Sequence, residues 1–85
     1  MKYAKDIREF VTLNFLFGDA SSLNDDISFL DSGIIDSTGM LELITFLEQT
    51  YKFKIRDEEM VPENLDSVNR IVQFLTQKLE KPLDP

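Results

Sequence analysis

Cysteine and histidine are both missing from this 85-residue sequence. Without cysteine there is no disulfide framework, thiolate zinc site, thiol nucleophile or redox pair. Without histidine there is no Ser-His-Asp triad, no imidazole acid or base and no histidine-ligated metal. No apolar run approaches the length of a membrane span, and the opening Met1-Lys2-Tyr3-Ala4-Lys5-Asp6 lacks the apolar stretch of a secretion signal. A cytoplasmic protein with no stable membrane insertion is expected. Positive charge is scarce too, with 9 bases against 16 acids and a net charge of −7. Nucleic acid and anionic membrane surfaces are therefore poor partners, and no nucleic-acid binding is expected. Nor does this inventory suggest an enzyme.

What remains is enough for one small fold. Apolar residues make up 42% and charged residues 29%, the balance of a folded chain and not of a disordered one. At this length a single domain is expected over residues 1–85, with a core spanning about 3–80 and a tail at 81–85. Such a domain has one modest core and little room for a deep substrate cleft. The charge is unevenly placed. Residues 10–51 hold Asp19, Asp25, Asp26, Asp31, Asp36, Glu42 and Glu48 and no base. At this overall frequency of Lys and Arg, a basic-free stretch that long has a chance of about one in a hundred at a given place. It reads either as a solvated acidic surface or as a docking face for basic partners.

Apolar spacing predicts helices. Tyr3, Ile7, Phe10, Val11 and Phe17, flanked by Leu13 and Leu16, give a first helix over about 3–17, ended by Gly18. A long loop follows over 18–36, with an apolar patch at Ile27, Phe29 and Leu30. Met40, Leu43, Ile44, Leu47 and Tyr51 then mark a strong amphipathic helix over about 37–51. Asp57-Glu58-Glu59 opens a short helical turn whose length Pro62 limits. Val68, Ile71, Val72, Leu75 and Leu79 form the last helix, with Asp66 or Ser67 as its N-cap, and Pro82 and Pro85 close the pattern. The expected fold is all-α: a small antiparallel bundle of three main helices, with a short helix before the last and a long first loop.

The pair Asp-Ser occurs three times, at 31–32, 36–37 and 66–67. Both residue types are favoured N-caps, so Asp66-Ser67 reads simply as a cap. Asp31-Ser32 runs into Gly33, a turn signal, and no helix is expected to start there. Asp36-Ser37 opens the strongest amphipathic segment inside the basic-free stretch. With Asp36 as N-cap, Ser37 becomes the first helical residue, its hydroxyl beside the unpaired N–H groups. A phosphodiester there would sit at the positive end of a helix dipole. Only carboxylates and lysines are available in this chain to activate Ser37 as a nucleophile, so a phosphorylated group suits it better than catalysis.

The run Asp31-Ser32-Gly33-Ile34-Ile35-Asp36-Ser37-Thr38-Gly39-Met40-Leu41-Glu42-Leu43 resembles the phosphopantetheine attachment site of acyl and peptidyl carrier proteins. The likeness continues through Phe46-Leu47-Glu48 and Tyr51, the acidic turn after Ile55, and Asp66-Ser67-Val68; it covers about 27–80. Gly33 and Gly39 bring it nearest to small stand-alone carriers such as D-alanyl or aminoacyl carriers. The resemblance implies that Ser37 bears 4′-phosphopantetheine, with Asp36 beside it. It further implies a phosphopantetheinyl transferase, an acyl- or aminoacyl-activating ligase and a downstream acyl-accepting enzyme as partners of a monomer. A cofactor of this kind would bring the sulfur that the chain lacks. Two departures narrow the likeness. Thr38 stands where many members have Leu, and Lys52, Lys54 and Arg56 form a basic cluster where fatty-acid carriers commonly have acids. The first takes away an apolar contact to partner enzymes, and the second favours a dedicated partner set over the general fatty-acid pool.

At about 100° per residue, Glu48 falls nearly above Ser37, Leu41 about 40° round and Thr45 about 80°. Leu41 is thus expected to be an exposed apolar contact for partners, with Thr38, Glu42, Thr45 and Glu48 around it, or else to pack under the first loop. Gly39 would either allow close approach of a partner or of the arm, or be a plain relic of the family. An EF-hand fails on position, because Gly33 at loop position six puts Gly39 at twelve. A glycosidase pair fails for want of a cleft. The rival to a carrier is a small acidic helical adaptor that binds a basic protein without covalent modification.

Overall fold

The computed structural model describes residues 2–80, and among them there are helices and turns but no strand. The elements are α1 (Lys2–Phe15), α2 (Phe29–Ser32), α3 (Ser37–Tyr51), α4 (Pro62–Leu65) and α5 (Val68–Leu79), with 3₁₀ turns at Ala20–Ser22 and Asp57–Glu59. The expected tail at 81–85, with Pro82 and Pro85, lies outside the described residues.

Ring pairs fix the direction of α3 against α1. Tyr3 packs edge-on against Tyr51, Phe10 stacks on Phe46, and Phe15 lies against Gly39, so the two helices run in opposite senses. The Glu80 carboxylate lies beside the Tyr3 hydroxyl, which brings the end of α5 to the start of α1. Ile7 and Val11 of α1, Leu43 and Leu47 of α3, and Val68, Ile71 and Leu75 of α5 are fully buried between them. Each such side chain contributes about 1.5–3 kcal/mol by leaving water.

Three details depart from the sequence reading, each for a local reason. The first helix stops at Phe15 and not at 17. Phe17 and Gly18 both take left-handed backbone (φ 53° and 85°), and the Gly18 N–H bonds back to the Thr12 carbonyl at 2.9 Å. Phe17 is turned out, 99% exposed, although its spacing reads as core. Second, the long loop contains a helix after all. Ser28 caps a single turn at Phe29–Ser32 by accepting the Asp31 N–H, and Gly33 ends it at φ 78°. Third, beyond the expected short turn, which ends before Pro62, a further short helix begins at Pro62 as its first helical position, where the missing N–H costs nothing. Asp57–Glu59 is a separate 3₁₀ turn. Of the two caps expected for α5, Ser67 is the one used, accepting the Arg70 N–H at 3.1 Å, while Asp66 turns the other way.

The Asp66 carboxylate takes the hydroxyl of Ser28 and the N–H of Leu30, and its carbonyl takes the N–H of Phe29 at 2.8 Å. With Phe29 and Ile35 fully buried, the segment leading into α3 is held at both ends. Ile35 N–H closes onto the Phe29 carbonyl at 3.2 Å, which sets the chain's direction immediately before Ser37.

Candidate functional site

The start of α3 falls where the sequence put it. The Asp36 carboxylate accepts the Gly39 N–H at 2.7 Å, and Met40 N–H makes the first intrahelical bond to the Asp36 carbonyl at 2.9 Å. The N–H groups of Ser37 and Thr38 precede that bond, and both side chains are exposed. Ser37 thus presents a hydroxyl at the positive end of a 15-residue helix.

The three Asp-Ser pairs separate cleanly. The Ser67 side chain is only 5% exposed and caps α5. The Ser32 hydroxyl donates to the Phe29 carbonyl and receives the Ile34 N–H. Among the described residues, only the Ser37 hydroxyl of these three is both exposed and without a bonding partner. An O-linked phosphodiester fits here: Ser37 and Thr38 are exposed, their N–H groups and the Ser37 hydroxyl have no bonding partner among the described residues, and the neighbouring Asp36 carboxylate is turned to the Gly39 N–H.

Gly39 serves the fold, not an incoming group. It is buried, and a Cβ on it would lie 2.7 Å from Phe15 Cε1 and 3.0 Å from Ile35 Cγ2. The close approach expected from sequence is made by the chain's own Phe15, which the periodicity of α1 did not single out.

Leu41 stands out from the bundle at 62% exposure, so it does not pack under the first loop. Glu42 and Thr45 are exposed beside it, and the Thr45 hydroxyl donates to the Leu41 carbonyl at 3.0 Å. These three residues line one shallow groove of about 420 Å³ together with Phe10, Asn14 and Phe46. Its floor is the stacked pair Phe10–Phe46, ring centroids 4.2 Å apart. Phe10 belongs to the apolar pattern of the first helix and Phe46 stands outside that of α3, and no periodicity signals that two such rings stack and leave a furrow between helices. Thr38 and Ser37 lie outside the groove. Glu48 has a task of its own: its carboxylate accepts the Ile55 N–H at 2.8 Å and ties down the turn after α3.

The acidic stretch resolves into working parts. Asp19 accepts the Ser21 N–H, Asp25 pairs with Arg8 at 2.5 Å, and Asp26 accepts from Asn69. With Asp36 and Glu48 engaged as described, only the carboxylates of Asp31 and Glu42, of the seven, bond to nothing among the described residues. In the basic cluster Arg56 is paired with Glu58, whereas Lys52 and Lys54 line a second furrow beside Thr45 and Gln49.

A family model described as a phosphopantetheine attachment site matches residues 13–75. The D-alanyl carrier protein of Streptococcus uberis is 38% identical over 55 residues, covering 65% of this chain and 68% of the relative. That of Streptococcus pyogenes serotype M1 matches at the same 38% over 55 residues. Among solved structures, a chain from the crystal structure of an FAD-dependent dehydrogenase superposes with a TM-score of 0.72 at 30% identity, covering 81% of this chain and 97% of that one.

Proposed function

Because the chain belongs to the phosphopantetheine-attachment family of carrier proteins, we propose that Ser37 bears the prosthetic group and that the protein passes an acyl or aminoacyl group between partner enzymes. The protein is a carrier and not an enzyme, and 4′-phosphopantetheine is its prosthetic group. Residues 3–80 act as one carrier domain. The observation that carries the choice of Ser37 is its exposed, unpartnered hydroxyl at the first position of α3, in contrast to Ser32 and Ser67.

The chain's own residues do the positioning. Ser37 Oγ forms the new bond to the phosphorus of coenzyme A's pyrophosphate, and adenosine 3′,5′-bisphosphate leaves. The hydroxyl proton goes to a base of the phosphopantetheinyl transferase, because Asp36 is committed to capping α3. The N–H groups of Ser37 and Thr38 favour the resulting negative charge. When bound, the group supplies the thiol that this sequence lacks, able to hold cargo as a thioester. Leu41 offers an apolar contact to the transferase, an activating ligase and an acyl-accepting enzyme, with Glu42 as its free charged neighbour and Thr38 and Thr45 at its edge. Glu48 adds negative charge while holding the turn at Ile55.

The D-alanyl carrier relatives make D-alanine the first cargo to try. The solved chain comes from the crystal structure of an FAD-dependent dehydrogenase, which makes a flavoenzyme that oxidises the carried group a further candidate partner. The test is intact mass after incubation with coenzyme A and a broad-specificity phosphopantetheinyl transferase. A gain of one phosphopantetheine that disappears in Ser37→Ala is expected. No gain with several transferases would favour the adaptor reading instead.

A further inference from the structure

We infer that the groove between α1 and α3, floored by Phe10 and Phe46, is a resting site for the carrier's own phosphopantetheine arm, and that partner docking on Leu41 releases it. This rests on attachment at Ser37.

The path to the groove is written into α3. Ser37, Leu41, Thr45 and Gln49 form one i, i+4 ridge, and the last three of them line the groove. The ridge starts at the attachment point and drifts toward α1. Thr45 is about 12 Å from Ser37 along the helix axis and Gln49 about 18 Å. From phosphorus to sulfur the arm has about thirteen bonds, a little over four residue lengths, or about 15 Å extended. Its end therefore reaches the stretch between Thr45 and Gln49.

The lining matches the arm's chemistry, which alternates amides with methylenes and carries a geminal dimethyl group. Leu41 and the Phe10–Phe46 stack offer apolar surface. Asn14 spends an N–H on the Phe10 carbonyl, and Thr45 spends its hydroxyl proton on the Leu41 carbonyl, which leaves both side-chain oxygens as acceptors for amide N–H groups. Tethering makes a weak site sufficient. A short flexible link gives a local concentration in the millimolar range, so even millimolar intrinsic affinity keeps the groove occupied for about half the time. A partner that takes Leu41 removes one wall of the groove and so frees the arm where it is needed.

The experiment compares apo and holo protein by NMR, after intact mass has established modification at Ser37. Shift changes are expected at Asn14, Leu41, Thr45, Phe46 and Gln49, beyond those next to Ser37. Filling the groove with Asn14→Phe, a change at an exposed position, should abolish the changes at Phe46 and Gln49 and keep those at 37–39. Because the chain has no cysteine, the arm holds the only thiol, and its alkylation by iodoacetamide should run about twofold faster in Asn14→Phe than in the unaltered holo protein. Shift changes confined to 36–40, with equal alkylation rates, overturn the resting site and leave the carrier assignment standing. No mass gain at Ser37 removes both.

Discussion

Gly39 and Phe15 occupy one another's space: the missing side chain of the first is where the ring edge of the second lies, 2.7 Å from an ideal Cβ. The contact locks the end of α1 onto the first turn of α3. Gly39→Ala would gain about 0.5–1 kcal/mol of helix propensity on an open surface. Here it overpacks a buried contact with Phe15 and Ile35, at a cost of about 1–3 kcal/mol. The expected net is a lower melting temperature, by several degrees in a domain of this size. Calorimetry that found Gly39→Ala more stable would mean that Phe15 moves aside freely.

Asp36 caps the helix, and the proposed attachment at Ser37 gives it a second, separable duty in recognition. Asp36→Ala removes the bond to Gly39 N–H and should cost about 1 kcal/mol. Asp36→Asn keeps a capping oxygen and should unfold within a few tenths of the original, yet lose charge next to Ser37. We expect both variants to be modified at least tenfold more slowly by the transferase. A normal rate for Asp36→Asn would show that the cap alone matters.

Leu41 is exposed enough that its loss should not disturb the core. Leu41→Asp is expected to keep its circular dichroism and melting temperature, while kcat/KM for arm or cargo loading falls at least tenfold, the scale of a central interface contact. Unchanged loading kinetics would take Leu41 out of the docking surface.

Acid should unfold the protein in a defined window. The Arg8 guanidinium holds the Asp25 carboxyl below its usual value, and the Lys78 ammonium does the same for Glu59, helped by the Arg56 N–H. A carboxyl depressed in the folded state binds fewer protons there than in the unfolded chain, so its stabilisation is complete above the unfolded values of 3.8 and 4.5 and is lost as pH falls through the folded ones. The melting temperature should hold from neutrality to about pH 5 and fall below that. Lys78→Met, which leaves Glu59 unpaired, should give a lower plateau and a shallower decline; an identical pH profile would mean that the pair contributes nothing.

Ser28 tests how the loop is held. Its hydroxyl donates to Asp66 and its oxygen caps α2, so Ser28→Ala should cost about 1 kcal/mol. Hydrogen exchange should report this as faster exchange at Phe29 and Ile35, with the amides of α3 and α5 less affected.

The bounds of α3 and its cap were readable because Asp36, Ser37 and fifteen residues of amphipathic pattern agree on one answer. The same logic found Ser67 and the last helix. It missed α2, since a single turn is too short to carry a period, and the bond that fixes it comes from Asp66, 38 residues away from Ser28. It put Phe17 inside because spacing cannot show where the backbone turns left-handed. The exposed Ser37 hydroxyl was legible; the groove beside it was not, because it depends on how two aromatic rings from distant segments meet.

The double fastening of the loop at Asp25 and Phe29 also separates what lies before it from what lies after. Asn69 N–H holds the Asp25 carbonyl at 2.9 Å, and Phe29 N–H holds Asp66, so the path to Ser37 is set downstream of residue 24. The Ala20–Ser22 turn upstream has no buried residue. A peptide tag or fluorophore inserted within that turn adds only the slowly growing entropy of a longer loop. The protein thus has a built-in position for a reporter whose insertion displaces no buried side chain.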